Sequence, residues 1–216
     1  MAGPRTRHAH ATETRELILT TAERLFAEHG VAAVSNRQIS EAAGQANNFA
    51  VGYHFGTKTD LVAAIVRRHA PSIERRRTDA LAAIQGSQAL RDWLGCLVLP
   101  TTEHLASLGS PSWYARFIAQ ATTDPVLREI VIGETQASPS MPAVTDGLKR
   151  LMPVLPADVV AERGDMSRHL IVHVCAERER ALQEGSPTPR ATWEGAAVGL
   201  IDALAGLWQA PFTATK

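Results

Sequence analysis

Two cysteines, Cys96 and Cys175, are all that this 216-residue chain has. They lie far apart and in no metal-ligand spacing, and the first segment has no apolar core of the kind that marks an export signal. A disulfide framework is therefore excluded, and free thiols in a reducing cytoplasm are expected. Nowhere does an apolar run reach about 18 residues, which excludes a transmembrane helix. Also missing are a Gly-rich phosphate loop, a GxSxG elbow and a Ser/His/Asp set at recognisable spacing, so nothing in the chain predicts an enzyme. Strand-type alternation and internal repeats do not persist either, which leaves an all-α class. With 45% apolar and 20% charged residues the composition is that of a soluble globular protein. Its length suffices for one good core or two small ones.

Net charge is absent as well, since 22 Lys+Arg balance 22 Asp+Glu, but the balance conceals an asymmetry. Residues 1–77 carry 11 Lys+Arg against 7 Asp+Glu, a net +4, and the remainder carries 11 against 15, a net −4. A basic N-terminal third on an acidic body points to one end meeting a polyanion. The run of Arg75, Arg76 and Arg77 supplies three of those charges.

What is present is helix punctuation. Residues 12–29 place Leu17, Ile18, Thr21, Leu25 and Phe26 at helical spacing, with Gly30 as the stop. Ser35 with Gln38 forms a capping box for a second helix that Gly44 ends, and a short third helix follows near 48–54. Thr57 with Asp60 caps a fourth, in which Pro71 predicts a kink or break. Gly86, Pro100, "GSP", "DP" and "SPSMP" punctuate the middle, where Asp124 and Pro125 open a helix. Long helices over 157–183 and 192–210 close the chain. The predicted organisation is a disordered arm over 1–11, a helix-turn-helix head over 12–57, and a body over 58–216 with 58–77 as connector.

Residues 35–55 fit a helix-turn-helix. Ile39, Val51 and Phe55 can build a small core, Ala42 and Ala43 let two helices cross, and Gly44 takes the turn. Asn47, Asn48, Tyr53 and His54 are then free to face outward. Asn amides at the start of a second helix suit an adenine edge in the major groove. Tyr53, His54 and Lys58 suit phosphate oxygens that set register, and Lys58 sits where helix amides also attract phosphate.

These residues resemble the tetracycline-repressor (TetR) family of transcriptional regulators. The resemblance covers about 14–68 and rests on "ILTTAERLFAEHGVAAVSNRQISEAAG" followed by "YHFGTKTDL". Phe26, Gly30, Ile39, Ala43, Gly44, Tyr53, His54, Phe55, Lys58 and Leu61 fall in register together. The resemblance implies a third helix that reads the major groove, with Tyr53, His54 and Lys58 holding the backbone and Arg37 as a further DNA contact. Two departures stand out. The "QANNF" linker is one residue longer than the usual turn, and Gly52 stands where the family often has an aromatic. Base reading is therefore expected to shift to Asn47, Asn48 and Phe49.

The last helix carries two stripes. Trp193, Ala197, Leu200, Ile201, Leu204, Leu207 and Trp208 form an apolar one, and Gly195, Gly199, Ala203 and Gly206 a small-residue one. Packing on its own subunit needs one stripe, so the other predicts a homodimer, to which Ile171, Val174 and Leu182 of the preceding helix add. The resemblance implies the same, since these regulators dimerise through their last long helices. It further implies a small-molecule chamber within 87–155. The expected walls are Trp93, Leu97, Trp113, Phe117, Met141 and Met152, with Arg116 and Gln120 as polar anchors.

Asp165, His169 and His173 are spaced four apart on one helical face near Cys175, and two His at i and i+4 can bind zinc. The pattern lacks the Glu of an HExxH site and a clear fourth ligand, so neither metal nor cofactor is expected. The reading is a ligand-responsive, homodimeric regulator, most simply a repressor, that binds a pseudo-palindromic DNA operator. The alternative is a helical small-molecule-binding module or enzyme whose basic head is no sequence reader.

Overall fold

A computed structural model of the chain describes residues 4–213, with side chains from Ala11 onward. Among these residues there are ten helices and no strand: α1 (Pro4–His29), α2 (Asn36–Ala42), α3 (Ala50–Phe55), α4 (Lys58–Ala83), α5 (Leu90–Leu108), α6 (Tyr114–Ala121), α7 (Pro125–Gln136), α8 (Met141–Leu151), α9 (Ala157–Glu184) and α10 (Trp193–Gln209). The arm expected over 1–11 lies partly outside the described residues. From Pro4 the backbone is already helical and continuous with α1, because a fixed φ and a missing amide suit the first turn of a helix.

The helix starts follow their local chemistry. Ser35 and Gln38 close the capping box of α2 in both directions, and Thr57 and Asp60 do the same for α4. Asp124 Oδ1 accepts from the amides of Val126 and Leu127 at the start of α7. The two prolines expected to interrupt helices do not. Pro71 lies inside α4 and Pro100 inside α5, and both helices run through them. A proline removes one amide donor, and where the helix is held by packing that cost is offset. Pro100 is itself buried, as are Val98, Thr102 and Leu105 of the same helix.

The chain packs as two compact units. The first comprises the described residues up to His69 together with Trp113–Glu134, and the second Ala70–Ser112 with Thr135 onward. By packing, α6 and most of α7 group with α1, α2, α3 and the first part of α4. The first unit's core is built from Ile18, Ala22 and Phe26 of α1, Ile39, Val51, Leu61, Val62, Ile65 and Phe117. Phe117 lies between Phe26 and Tyr114, with ring centroids 6.2 and 6.3 Å away. Beside it a buried pair links α1 to α4. Glu23 Oε2 is 2.9 Å from His69 Nε2, and Tyr114 stacks on the His69 ring at 3.8 Å.

In the second unit α5 packs against α10 and α8. Leu94, Val98 and Leu105 meet a face of α10 made of Ala197, Leu200, Ile201, Leu204 and Trp208. Two buried arginines of α9 grip the ends of α10. Arg178 donates to the carbonyls of Arg190 and Ala191 ahead of it. Arg163 donates to those of Trp208, Ala210 and Pro211 at its end. A guanidinium there satisfies the carbonyls that a helix C-terminus leaves unpaired.

Candidate nucleic-acid interface

The site is built on α2, the turn and α3. Ile39 and Val51 are fully buried and pin the two helices together, while Phe55 is only half-buried. Of the two alanines expected at the crossing, Ala43 is buried and Ala42 exposed. Gly44 takes φ +65, a left-handed conformation that costs glycine little and other residues more. Ser40, also fully buried, donates from Oγ to the Asn48 carbonyl at 3.3 Å, so α2 holds the entry to α3.

Asn47 has a local task. Its Oδ1 accepts from the Phe49 amide at 2.9 Å and its carbonyl accepts from the Ala50 amide at 3.0 Å. This Asx geometry starts α3. Asn48 is exposed, and among the described residues its side chain makes no hydrogen bond. Phe49 is 80% exposed and Tyr53, one turn on, 84%. Residues 48 and 49 of the entering turn and 53 of α3 thus present an amide and two rings to solvent. His54 is half-buried, its ring 5.0 Å edge-on from that of Tyr53.

Sequence reasoning missed the ties that hold this face in place. Arg15 of α1 donates to the His54 carbonyl at 2.9 Å and lies 4.2 Å from the centroid of the Phe55 ring. Its guanidinium therefore closes the end of α3 and stacks on it. Lys58 is half-buried, and its Nζ donates to the Val31 carbonyl at 3.1 Å. It lines a cleft of about 440 Å³ that also includes His29, Gln120 and Asp124. Arg37, on α2, is exposed and paired with Glu41 at 2.7 Å. The only available signal for the Arg15 tie was a basic residue on a helix whose neighbours at 18, 22 and 26 are core.

The other expected sites are distributed as follows. Of the eight residues named for a small-molecule chamber, Trp113, Arg116, Phe117 and Gln120 belong to the first unit, and Trp93, Leu97, Met141 and Met152 to the second. Neither unit holds all eight. Phe117 is fully buried core, and Arg116 is buried too. Trp93 donates from Nε1 to the Ser87 carbonyl at 3.1 Å, with the Arg150 guanidinium 5.1 Å from its ring centroid. Leu97, Met141 and Met152 are half-buried.

On α9 the rings of His169 and His173 stack 6.0 Å apart, while Asp165 accepts from Arg168 at 2.9 Å. Among the described residues no group of three His, Cys, Asp or Glu is placed to hold a metal ion. Nor is any described helix long and apolar enough to cross a membrane.

With that geometry in hand, residues 18–65 match the family model described as "Bacterial regulatory proteins, tetR family". The head is a tetR-family head. A 59-residue stretch is 41% identical to the HTH-type transcriptional repressor AcnR of Corynebacterium glutamicum. That stretch is 27% of this chain and 31% of AcnR, so the similarity spans about a third of the curated relative. The chain also superposes on PfmR, a TetR family transcriptional regulator from Thermus thermophilus, with a TM-score of 0.52. Coverage there is 89% of this chain and 97% of PfmR at 17% identity. That likeness is one of fold: a helix-turn-helix head followed by a helical body.

Proposed function

We propose that this protein is a transcriptional regulator, a repressor in the first instance, whose tetR-family head reads one half-site of a pseudo-palindromic operator. The observation that carries the reading is the exposed set Asn48, Phe49 and Tyr53, the first two in the turn that enters α3 and the third on α3 itself, braced by Ser40 and Arg15. A recognition helix must offer unsatisfied side chains from a rigid mount, and the second helix of a helix-turn-helix does so in the major groove. Arg37, Tyr53, His54 and Lys58 surround that helix as phosphate contacts, and Asn47 serves as much to shape the turn as to touch DNA.

Two heads are needed for a two-fold operator, and α9 with α10 is the face we assign to the homodimer. The small-residue stripe of α10 is open in the subunit. Ala203 is exposed, a β-carbon built on Gly206 meets nothing within 4 Å, and one on Gly199 meets only the Arg190 side chain at 3.9 Å. One on Gly195 meets Arg190 and Thr192 at 3.3 and 3.4 Å, and Leu207 is half-buried at the edge. Val174 and Leu182 of α9 and Val198 of α10 remain exposed as well, with Ile171 half-covered. Such a face on two long helices suits a self-complementary contact.

A small-molecule effector acts by linkage: whichever head arrangement it prefers, its differential affinity for that arrangement is the most it can take from DNA binding. No metal or cofactor is required.

The test is anisotropy of the full chain on duplex DNA from upstream of its own gene, against a scrambled duplex, over a series of salt concentrations. The expected result is a specific site whose affinity exceeds the scrambled duplex at every salt, both falling linearly in log–log form. Equal affinity for the two duplexes throughout would reject a sequence-reading role.

A further inference from the structure

We infer that the reading element selects A·T pairs through thymine methyl groups, with Phe49 as the specificity-determining side chain. This rests on the DNA-reading role proposed above and goes further, because it states which bases are read. Guanine presents two acceptors, O6 and N7, to the major groove, and Arg or Lys is their usual partner. Residues 45–57, the whole of the turn and α3, contain neither.

The cations around this element are engaged elsewhere. Arg15 is held by the His54 carbonyl and the Phe55 ring. Lys58 is turned to the Val31 carbonyl, and Arg37 is paired with Glu41. Arg15, Lys58 and Arg37 are thus each drawn toward a protein partner, and none of the three lies on the turn or α3 to face a guanine edge.

What α3 does offer is apolar. Phe49, at its N-cap position, leaves 80% of its surface in water. A benzyl ring cannot bind phosphate, and the apolar group on a base edge in the major groove is the C5-methyl of thymine. The ring is also mounted rather than loose. Its own amide is bound by Asn47 Oδ1, and the carbonyl before it is bound by Ser40. The adjacent Asn48 amide is free to pair with the N6 and N7 of adenine, so two neighbouring side chains make the same choice of base pair.

The experiment begins with selection of preferred sites from a random duplex library by the full chain. Each thymine of the selected site is then replaced singly by deoxyuridine, which keeps base pairing and deletes only the methyl group. Wild type should lose about fourfold in affinity for one thymine per half-site, the equivalent of ~0.8 kcal/mol for one buried methyl-sized group. Replacing both should cost about fifteenfold. In Phe49→Ala the same replacements should cost nothing. Phe49 is exposed enough that the variant folds, which circular dichroism checks. Indifference of the wild type to every replacement overturns the inference, as does a methyl dependence that survives Phe49→Ala. Selection that yields no preferred sequence removes the DNA-reading role itself, and the inference with it.

Discussion

A β-carbon added to Gly147 would lie 2.0 Å from Cε3 of Trp93. That ring is not a movable tip, since its Nε1 is held by the Ser87 carbonyl. Gly147→Ala should therefore destabilise the protein by about 1–3 kcal/mol despite the better helix propensity of alanine, as urea unfolding would show. Lys58 presents a different residue-scale question, because its ammonium has one protein acceptor and two donors to spare. Lys58→Ala should lower stability by about 1.5–3 kcal/mol through the lost bond to Val31. It should also weaken all DNA sequences alike and reduce the salt slope by about one per half-site. A stability loss with an unchanged slope would mean that Lys58 is wholly occupied in bracing the head. Asn48→Ala should behave in the opposite way. Nothing in the fold depends on its amide, so stability holds while affinity for the preferred operator falls by about 1–3 kcal/mol and non-specific binding stays.

At the scale of elements, α10 combines a buried side with an open one. Arg163 and Arg178 secure both of its ends to α9, so the pair behaves as one slab whose outer surface is available. Gly199→Leu separates the two sides cleanly. Within the subunit the β-carbon of the new side chain meets only Arg190, which can swing away. Leucine is also about 1 kcal/mol more favourable than glycine inside a helix. Helicity by circular dichroism should therefore hold or rise. Across a two-fold interface the same side chain clashes at both symmetry-related copies, about 1–3 kcal/mol each. Sedimentation should show a shift to monomer at low micromolar concentration, and operator affinity should fall with it. A mutant that stays dimeric would move the interface to another surface.

For the molecule as a whole, the two thiols report on the packing of the second unit. Cys96 and Cys175 are free and buried. Burial pushes Cys96 up from 9.0 to about 11 and Cys175 from 9.0 to about 12. A thiol kept protonated in the folded state opposes unfolding less once the unfolded chain can ionise it. Reduced protein should thus hold its stability below pH 9 and lose it progressively as pH rises from about 9 toward 11. The Cys96→Ala/Cys175→Ala double variant should show a shallower decline in urea titrations at pH 8 and pH 10.5. An identical decline would mean that the thiols do not report on folding. Neither thiol is a thiolate at neutral pH, so both should resist alkylation until the protein unfolds.

Helix starts were legible in the residues because their chemistry acts over three or four positions. Ser35 with Gln38, Thr57 with Asp60, and Asp124 with Pro125 all cap as their spacing dictates. The buried side of α10 was legible for a similar reason, since a 3.6-residue period belongs to one segment alone. Pro71 and Pro100 read as interruptions because proline's cost is local, while what offsets it is packing against other segments. Arg15 reaches a carbonyl 39 residues away, Lys58 one 27 away, and Glu23 a histidine 46 away. Nothing in the local pattern distinguishes those side chains from solvated ones. The assignment of α6 to the first unit, and of Phe117 to its core rather than to a chamber wall, likewise depended on which helix it met. The sequence by itself determined the all-α class, the caps and the exposure of Asn48 and Tyr53 at α3. Tertiary structure decided which charged groups are committed and which remain free, because desolvation and pairing depend on neighbours in space rather than along the chain.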